Sequence, residues 1–112
     1  MTTITDEHMK QMMTTTRTYT AVILKKLPVF NRERHFPIIW EHGRRNFQLR
    51  AEGKLSIVCP VRDESDVAGI GIFNLSIDET KQVMNEDPAV KAGVFTYEVH
   101  PVASFPGDKL PG

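Results

Sequence analysis

The chain has 112 residues, with 14 basic and 14 acidic side chains, a formal net charge of zero and 40% hydrophobic content. That length and composition describe one ordinary globular domain with a core that needs no disulfide or structural metal. The charge balance argues against a dedicated nucleic-acid binder or an electrostatic membrane adaptor.

Residues 1–17 read as a polar N-terminal arm, in which residues 6–13 can form a short helix with Thr5 as its N-cap. The arm lacks the basic-then-apolar pattern of a signal peptide. Residues 18–26 are β-branched and aromatic and read as a strand that stops before Pro28. This strand holds the longest apolar run, Ala21-Val22-Ile23-Leu24, far short of the ~20 residues that span a bilayer, so no membrane partner is expected. Residues 37–51 predict a helix, with Pro37 in the first turn and Gly53 just past the end. Its apolar face is expected through Ile39, Trp40, Gly43 and Phe47, widened by Ile38 and Leu49.

A second strand is expected over residues 54–61, followed by a charged loop. Residues 67–75 are apolar on both faces and therefore predict a central strand. Ser76-x-x-Glu79 is a capping box that opens a helix ending at Glu86, before Pro88. Residues 94–102 alternate Phe95, Tyr97 and Val99 against Thr96, Glu98 and His100, as a strand does. Residues 104–112 carry Pro and Gly turn signals and read as an extended C-terminal tail. Between arm and tail, residues 18–103 therefore run β-α-β-β-α-β. Right-handed crossovers fold that order into an α+β, ferredoxin-like sandwich with both helices on one face of an antiparallel sheet. The doubly apolar third strand then predicts a homodimer, with a second copy covering the other face.

Strong catalytic motifs are absent: there is no HExxH, CxxC, GxSxG or P-loop. Gly69-x-Gly71 lies within a strand and reads as a close backbone approach or a bulge, not a dinucleotide fingerprint. The single cysteine, Cys59, rules out an intrachain disulfide and points to a reducing cytoplasm. Placed on a strand with Leu55 and Ile57, it reads as a small core hydrophobe. His8 falls in the arm, His35 in a polar stretch beside Arg32 and Arg34, and His100 on the polar side of the last strand. His35 and His42 are two helical turns apart, too far to share one metal ion, so no zinc site and no cofactor are expected. His42 is mid-helix, beside the apolar stripe, and can point into the gap between helix and sheet. Periodicity leaves it open between a satisfied structural imidazole and a catalytic one. Arg44 and Arg45, with Arg50, read as a solvated helix face.

His42, eleven residues before Gly53 and followed by the strand KLSIVCPV, resembles the histidine-to-glycine stretch of the YCII-related domain family. Asp87-Pro88-Ala89-Val90-Lys91-Ala92-Gly93-Val94-Phe95 is very similar to that family's DP…AG…F closing motif. The resemblance covers about residues 19–102 and implies a dimeric α+β barrel built on a ferredoxin-like unit, the order already read from the elements. It also implies acid/base chemistry by His42 and Asp87 on a small, often aromatic compound, of lyase, dehalogenase or isomerase type and without a cofactor. Pro60, Asp63 and Pro88 are expected in the substrate pocket. A non-catalytic ligand-binding or assembly module of the same fold is the alternative. The chain departs from the family pattern at Cys59, where a glycine is usual, and at Ile38 and Ile39, where a basic residue commonly precedes the histidine. His42 lies about nine residues, ~13 Å, before the end of its helix, and Asp87 follows the end of the other. For the two to meet, the helices must be staggered or the Asp87 turn must fold back; otherwise Asp87 caps the turn before Pro88.

Overall fold

The computed structural model describes residues 2–112. In chain order they form α1 (Asp6–Met13), β1 (Arg17–Lys26), α2 (Phe36–Ala51), β2 (Leu55–Pro60), β3 (Val67–Phe73), α3 (Ile77–Asn85), α4 (Pro88–Lys91) and β4 (Phe95–Ser104). The sheet order is β2-β3-β1-β4, with every neighbouring pair antiparallel. Each βαβ unit thus has a strand of the other unit inserted between its own two, which is the ferredoxin-like α+β arrangement.

Strand alternation divides the sheet into two faces. Val58, Gly71, Val22 and Val99 lie side by side across the four strands on the helix-covered face. Together with Leu24, Leu49, Phe73, Met84, Val94 and Phe95 they build the core. On the opposite face one row runs Cys59, Ile70, Ile23 and Glu98, and the next Ile57, Ile72, Ala21 and His100. That face is apolar over β2, β3 and β1 and polar along β4.

Cys59 is exposed and does not join the core. The register between β2 and β3 shifts between Leu55 and Ile57. An extra residue of this kind sends every later side chain of the strand to the other face. Leu55 stays in the core while Ile57 and Cys59 turn outward. The apolar face of α2 also differs from the expected one: Trp40 and Phe47 are 59% and 67% exposed. Leu49 is the buried residue of the helix, and the half-buried positions beside it are Ile38, Ile39, His42, Gly43, Arg45 and Asn46. Polar side chains hold sheet-facing positions there, so ranking α2 by hydrophobicity selects the wrong stripe.

The capping box at α3 forms in full, with Ser76 Oγ accepting from the Glu79 N–H and Glu79 Oε1 accepting from the Ser76 N–H. These bonds to the Ser76 backbone and side chain hold the Glu79 carboxyl below its ordinary range. A lowered carboxyl stabilises the fold above its unfolded-state value and loses that contribution as pH falls through its folded-state value. Ser76→Ala is expected to lower stability by about 1 kcal/mol at neutral pH in thermal unfolding, and by less in acid.

Thr5 caps α1 as expected, its side chain accepting from the His8 N–H, yet α1 buries no residue. Helices this short are marginal without packing. Amide exchange across Asp6–Met13 is therefore expected to be fast beside that of β1 and β3, as hydrogen-exchange mass spectrometry would show.

Candidate functional site

The site begins at the end of α3. Asp87 follows α3 after the single residue Glu86 and is the N-cap of α4, with Pro88 at the first helical position. Pro fits there because its missing N–H would have no helical partner. After the four residues of α4 and its C-cap Ala92, the chain turns away through Gly93, whose φ of 74° suits a residue without Cβ. Cap, proline and left-handed glycine together make the tight α4 turn, which packs against α2.

This turn folds Asp87 back onto the middle of α2. Its Oδ2 accepts the Ala89 and Val90 N–H groups at 3.0 and 3.2 Å. Its Oδ1 lies 2.7 Å from His42 Nδ1. Asp87 therefore caps the turn and holds the histidine at once, one oxygen for each. It is 1% exposed, and Arg45 approaches Oδ1 to 4.0 Å. With Oδ1 accepting the Nδ1–H, the lone pair of the imidazole is left on Nε2. Asn46 Nδ2 lies 3.3 Å from Nε2, and the edge of the imidazole meets Phe95 at a centroid distance of 5.5 Å.

His42 lines a cleft of about 1060 Å³ whose walls come from both faces of the sheet, Val22, Leu24 and Phe95 beneath α2 and Ile57, Ile70 and Ile72 on the opposite face. Its walls near the imidazole include Gly43, Asn46, Gly69, Gly71 and Phe95, and at its far end it is bounded by the tail, residues 105–110. Glycines matter on both sides. A Cβ on Gly71 would meet Leu55 Cδ1 at 3.2 Å, and one on Gly69 would meet the Cys59 carbonyl oxygen at 3.3 Å. A Cβ on Gly43 would meet nothing within 4 Å, because it would enter the cleft itself. Gly43→Ala is thus expected to act in opposite directions. Thermal unfolding should show up to about 1 kcal/mol of added stability, from better helix propensity. Ligand affinity should fall, because the methyl group takes up cleft space.

Pro60 lines the cleft, but Asp63 and Pro88 do not. Asp63 instead organises the β2–β3 loop, where the Ser65 hydroxyl and N–H donate to it and hold its carboxyl below the usual range. Pro88 is taken up in shaping α4. Arg45 and Asn46 were not singled out by sequence reasoning as site residues. Their spacing of three and four residues from His42 is the signal, since such positions share a helix face. Arg44, by contrast, lies on the solvated face and pairs with Glu41. His35 accepts from the Asn31 N–H through Nδ1, at the approach to α2. Among the described residues no group of three His, Cys, Asp or Glu side chains is arranged to hold a metal ion. Nor is any described helix long and apolar enough to cross a membrane.

No family model matches the chain, and no curated protein does. Among solved structures it is similar to 5-chloro-2-hydroxyhydroquinone dehydrochlorinase (TftG) from Burkholderia phenoliruptrix AC1100, in complex with 2,5-dihydroxybenzoquinone. The two are 21% identical with a TM-score of 0.58, over 73% of this chain and 90% of that one. At this identity the likeness establishes a shared fold, the ferredoxin-like α+β unit.

Proposed function

We propose that this protein is a small-molecule enzyme of lyase type, in which His42 moves a proton and Asp87 orients it. The observation that carries the reading is the 2.7 Å contact between His42 Nδ1 and a buried carboxylate, on an imidazole that also lines a cleft. A base held by one nitrogen, whose other meets only the Asn46 amide of the cleft wall at 3.3 Å, is an arrangement that general acid–base catalysis uses. Loss of HCl from a chlorinated hydroxyaromatic compound fits this equipment: a proton goes to the base, chloride leaves, and no oxidant or reductant is consumed. The ligand and activity named for TftG support an aromatic compound of this kind, as does the glycine floor of the cleft, which suits a flat ring. The DP…AG…F turn, whose residues here build α4 and aim Asp87, supports membership of the YCII-related family.

The direct test offers the protein 5-chloro-2-hydroxyhydroquinone and measures released chloride. Release that disappears in His42→Ala is the expected result. Binding without release, in a protein whose His42 resonances respond to the compound, would favour the ligand-binding module instead.

We further propose that the chain works as a homodimer in the cytoplasm. The apolar rows around Ile70, which is 45% exposed, support a second copy on that face, and an exposed free thiol at Cys59 suits a reducing compartment. Light scattering is expected to give twice 12.7 kDa; a monomer at micromolar concentration contradicts the dimer.

A further inference from the structure

Beyond the imidazole, the cleft wall continues through two stacked rings to a pair of cations. Phe95 meets His42 edge-on, and Phe30 stacks on Phe95 at 5.8 Å with an interplanar angle of 22°. Lys26 Nζ and Arg32 Cζ both lie over the Phe30 ring, at 5.4 and 5.9 Å from its centroid. Lys26, Phe30 and Arg32 line the same cleft as His42.

Two like charges over one ring repel each other, and a salt bridge to a carboxylate would ordinarily accompany them. Among the described residues neither Lys26 nor Arg32 makes one; the ion pairs involve other cations. Lys26 Nζ donates to the Ser65 carbonyl oxygen at 2.9 Å, which fixes the ammonium without neutralising it. Asp63 feels Lys26 only as the smallest influence on its carboxyl, its oxygen being taken by Ser65. Asp87 is buried behind His42, with its two oxygens engaged by His42 and the α4 backbone, and the carboxylate that lines the cleft among the described residues is Asp108 of the tail. In a chain of zero net charge, the cleft has a basic excess, with Lys26, Arg32, Arg50 and Lys109 lining it against Asp108. A cleft in which one sign of charge predominates concentrates ligands of the other.

We propose that the cleft is selective for planar anions: compounds of one or two rings bearing a carboxylate or an ionised hydroxyl. The anionic group is received by Lys26 and Arg32, and the ring lies along Phe30 and Phe95 toward His42. Arg32 can take a carboxylate through two parallel N–H donors, while Lys26 supplies a point charge that the Ser65 carbonyl holds in place. The inference rests on the reading of the His42 cleft as a site for ring compounds and adds the charge of the ligand to it.

A matched pair of probes separates the two ideas. 2-Naphthoate and 2-naphthamide share ring and shape and differ in charge. Titration of each into the full-length protein, followed by the amide resonances of Gly69 and Gly71 and the ring resonances of His42, gives both affinities. Naphthoate is expected to bind at least tenfold more tightly at low salt, with the gap narrowing as salt screens the cations. In the Lys26→Gln/Arg32→Gln double variant naphthoate should fall to the level of naphthamide, whose own affinity should stay unchanged. These side chains lie at the cleft mouth and outside the His42–Asp87 pair, so the variant should fold; a wild-type thermal unfolding profile checks this. If both probes bind equally to the wild type, the charge selectivity is wrong while the ring site stands. If neither probe perturbs these resonances, the ring site itself fails and the selectivity with it.

Discussion

His42→Ala is expected to lower turnover of an accepted chlorinated hydroxyaromatic compound by about 10²–10⁴-fold, while leaving the chain folded. The imidazole is only 13% exposed as a side chain, but its removal spares the bonds from Ala89 and Val90 to Asp87 Oδ2, so the α4 turn keeps its cap. Asp87→Asn should lower the rate less than His42→Ala. An amide oxygen can still accept the Nδ1–H, but without the charge that stabilises a protonated ring. The double variant should be little worse than His42→Ala alone, because two groups acting through one proton transfer cannot be lost twice. Steady-state rates of the four proteins give the comparison. Additive losses would mean that Asp87 acts on the substrate independently of His42.

Asp87→Ala should have the largest effect on stability. The side chain is buried and satisfies two backbone N–H groups and one imidazole N–H, none of which gains another partner by its removal. Loss of an N-cap costs about 0.5–2 kcal/mol, and stranding further buried donors adds to it. A total of roughly 2–3 kcal/mol corresponds to a fall in Tm of about 9–13 °C for a domain of this size. Asp87→Asn can keep an oxygen on the cap or on His42 but not on both, since its second polar atom is a donor. It should lose about 1 kcal/mol. Calorimetry on the two variants tests whether Asp87 holds the turn and the histidine together. Equal, small effects would make the cap bonds unimportant to the fold.

Much of the fold was legible because its signals are local. Pro37, Ser76 and Gly53 mark helix ends, β-branched runs mark β1 and β3, and the order of elements limits the topology to few choices. Cys59 was misplaced because a bulge at Ser56 is a matter of register with β3, which no residue of β2 announces. Trp40 and Phe47 were misplaced because α2 turns polar side chains inward, toward Asp87. That choice depends on a partner 45 residues away, not on the helix's own hydrophobicity. The pairing of His42 with Asp87 required the chain to turn back after α3. The cause is α4, four residues with no room for a periodic pattern. Its Asp-Pro start and Gly93 end carry the signal, but as cap and stop rather than as an amphipathic stripe. Arg45 and Asn46 become visible only once the inward face of α2 is known.

His42 is held by Asp87 through Nδ1, which leaves Nε2, beside Asn46, to meet whatever enters the cleft. Nitrogen-15 spectra of the His42 ring, recorded with and without 2,5-dihydroxybenzoquinone, test it most directly. Nδ1 is expected to carry the proton shared with Asp87, and ligand addition should shift Nε2 more than Nδ1. A proton resident on Nε2 with Nδ1 bare, or a ring unaffected by a ligand that binds elsewhere on the protein, would contradict it.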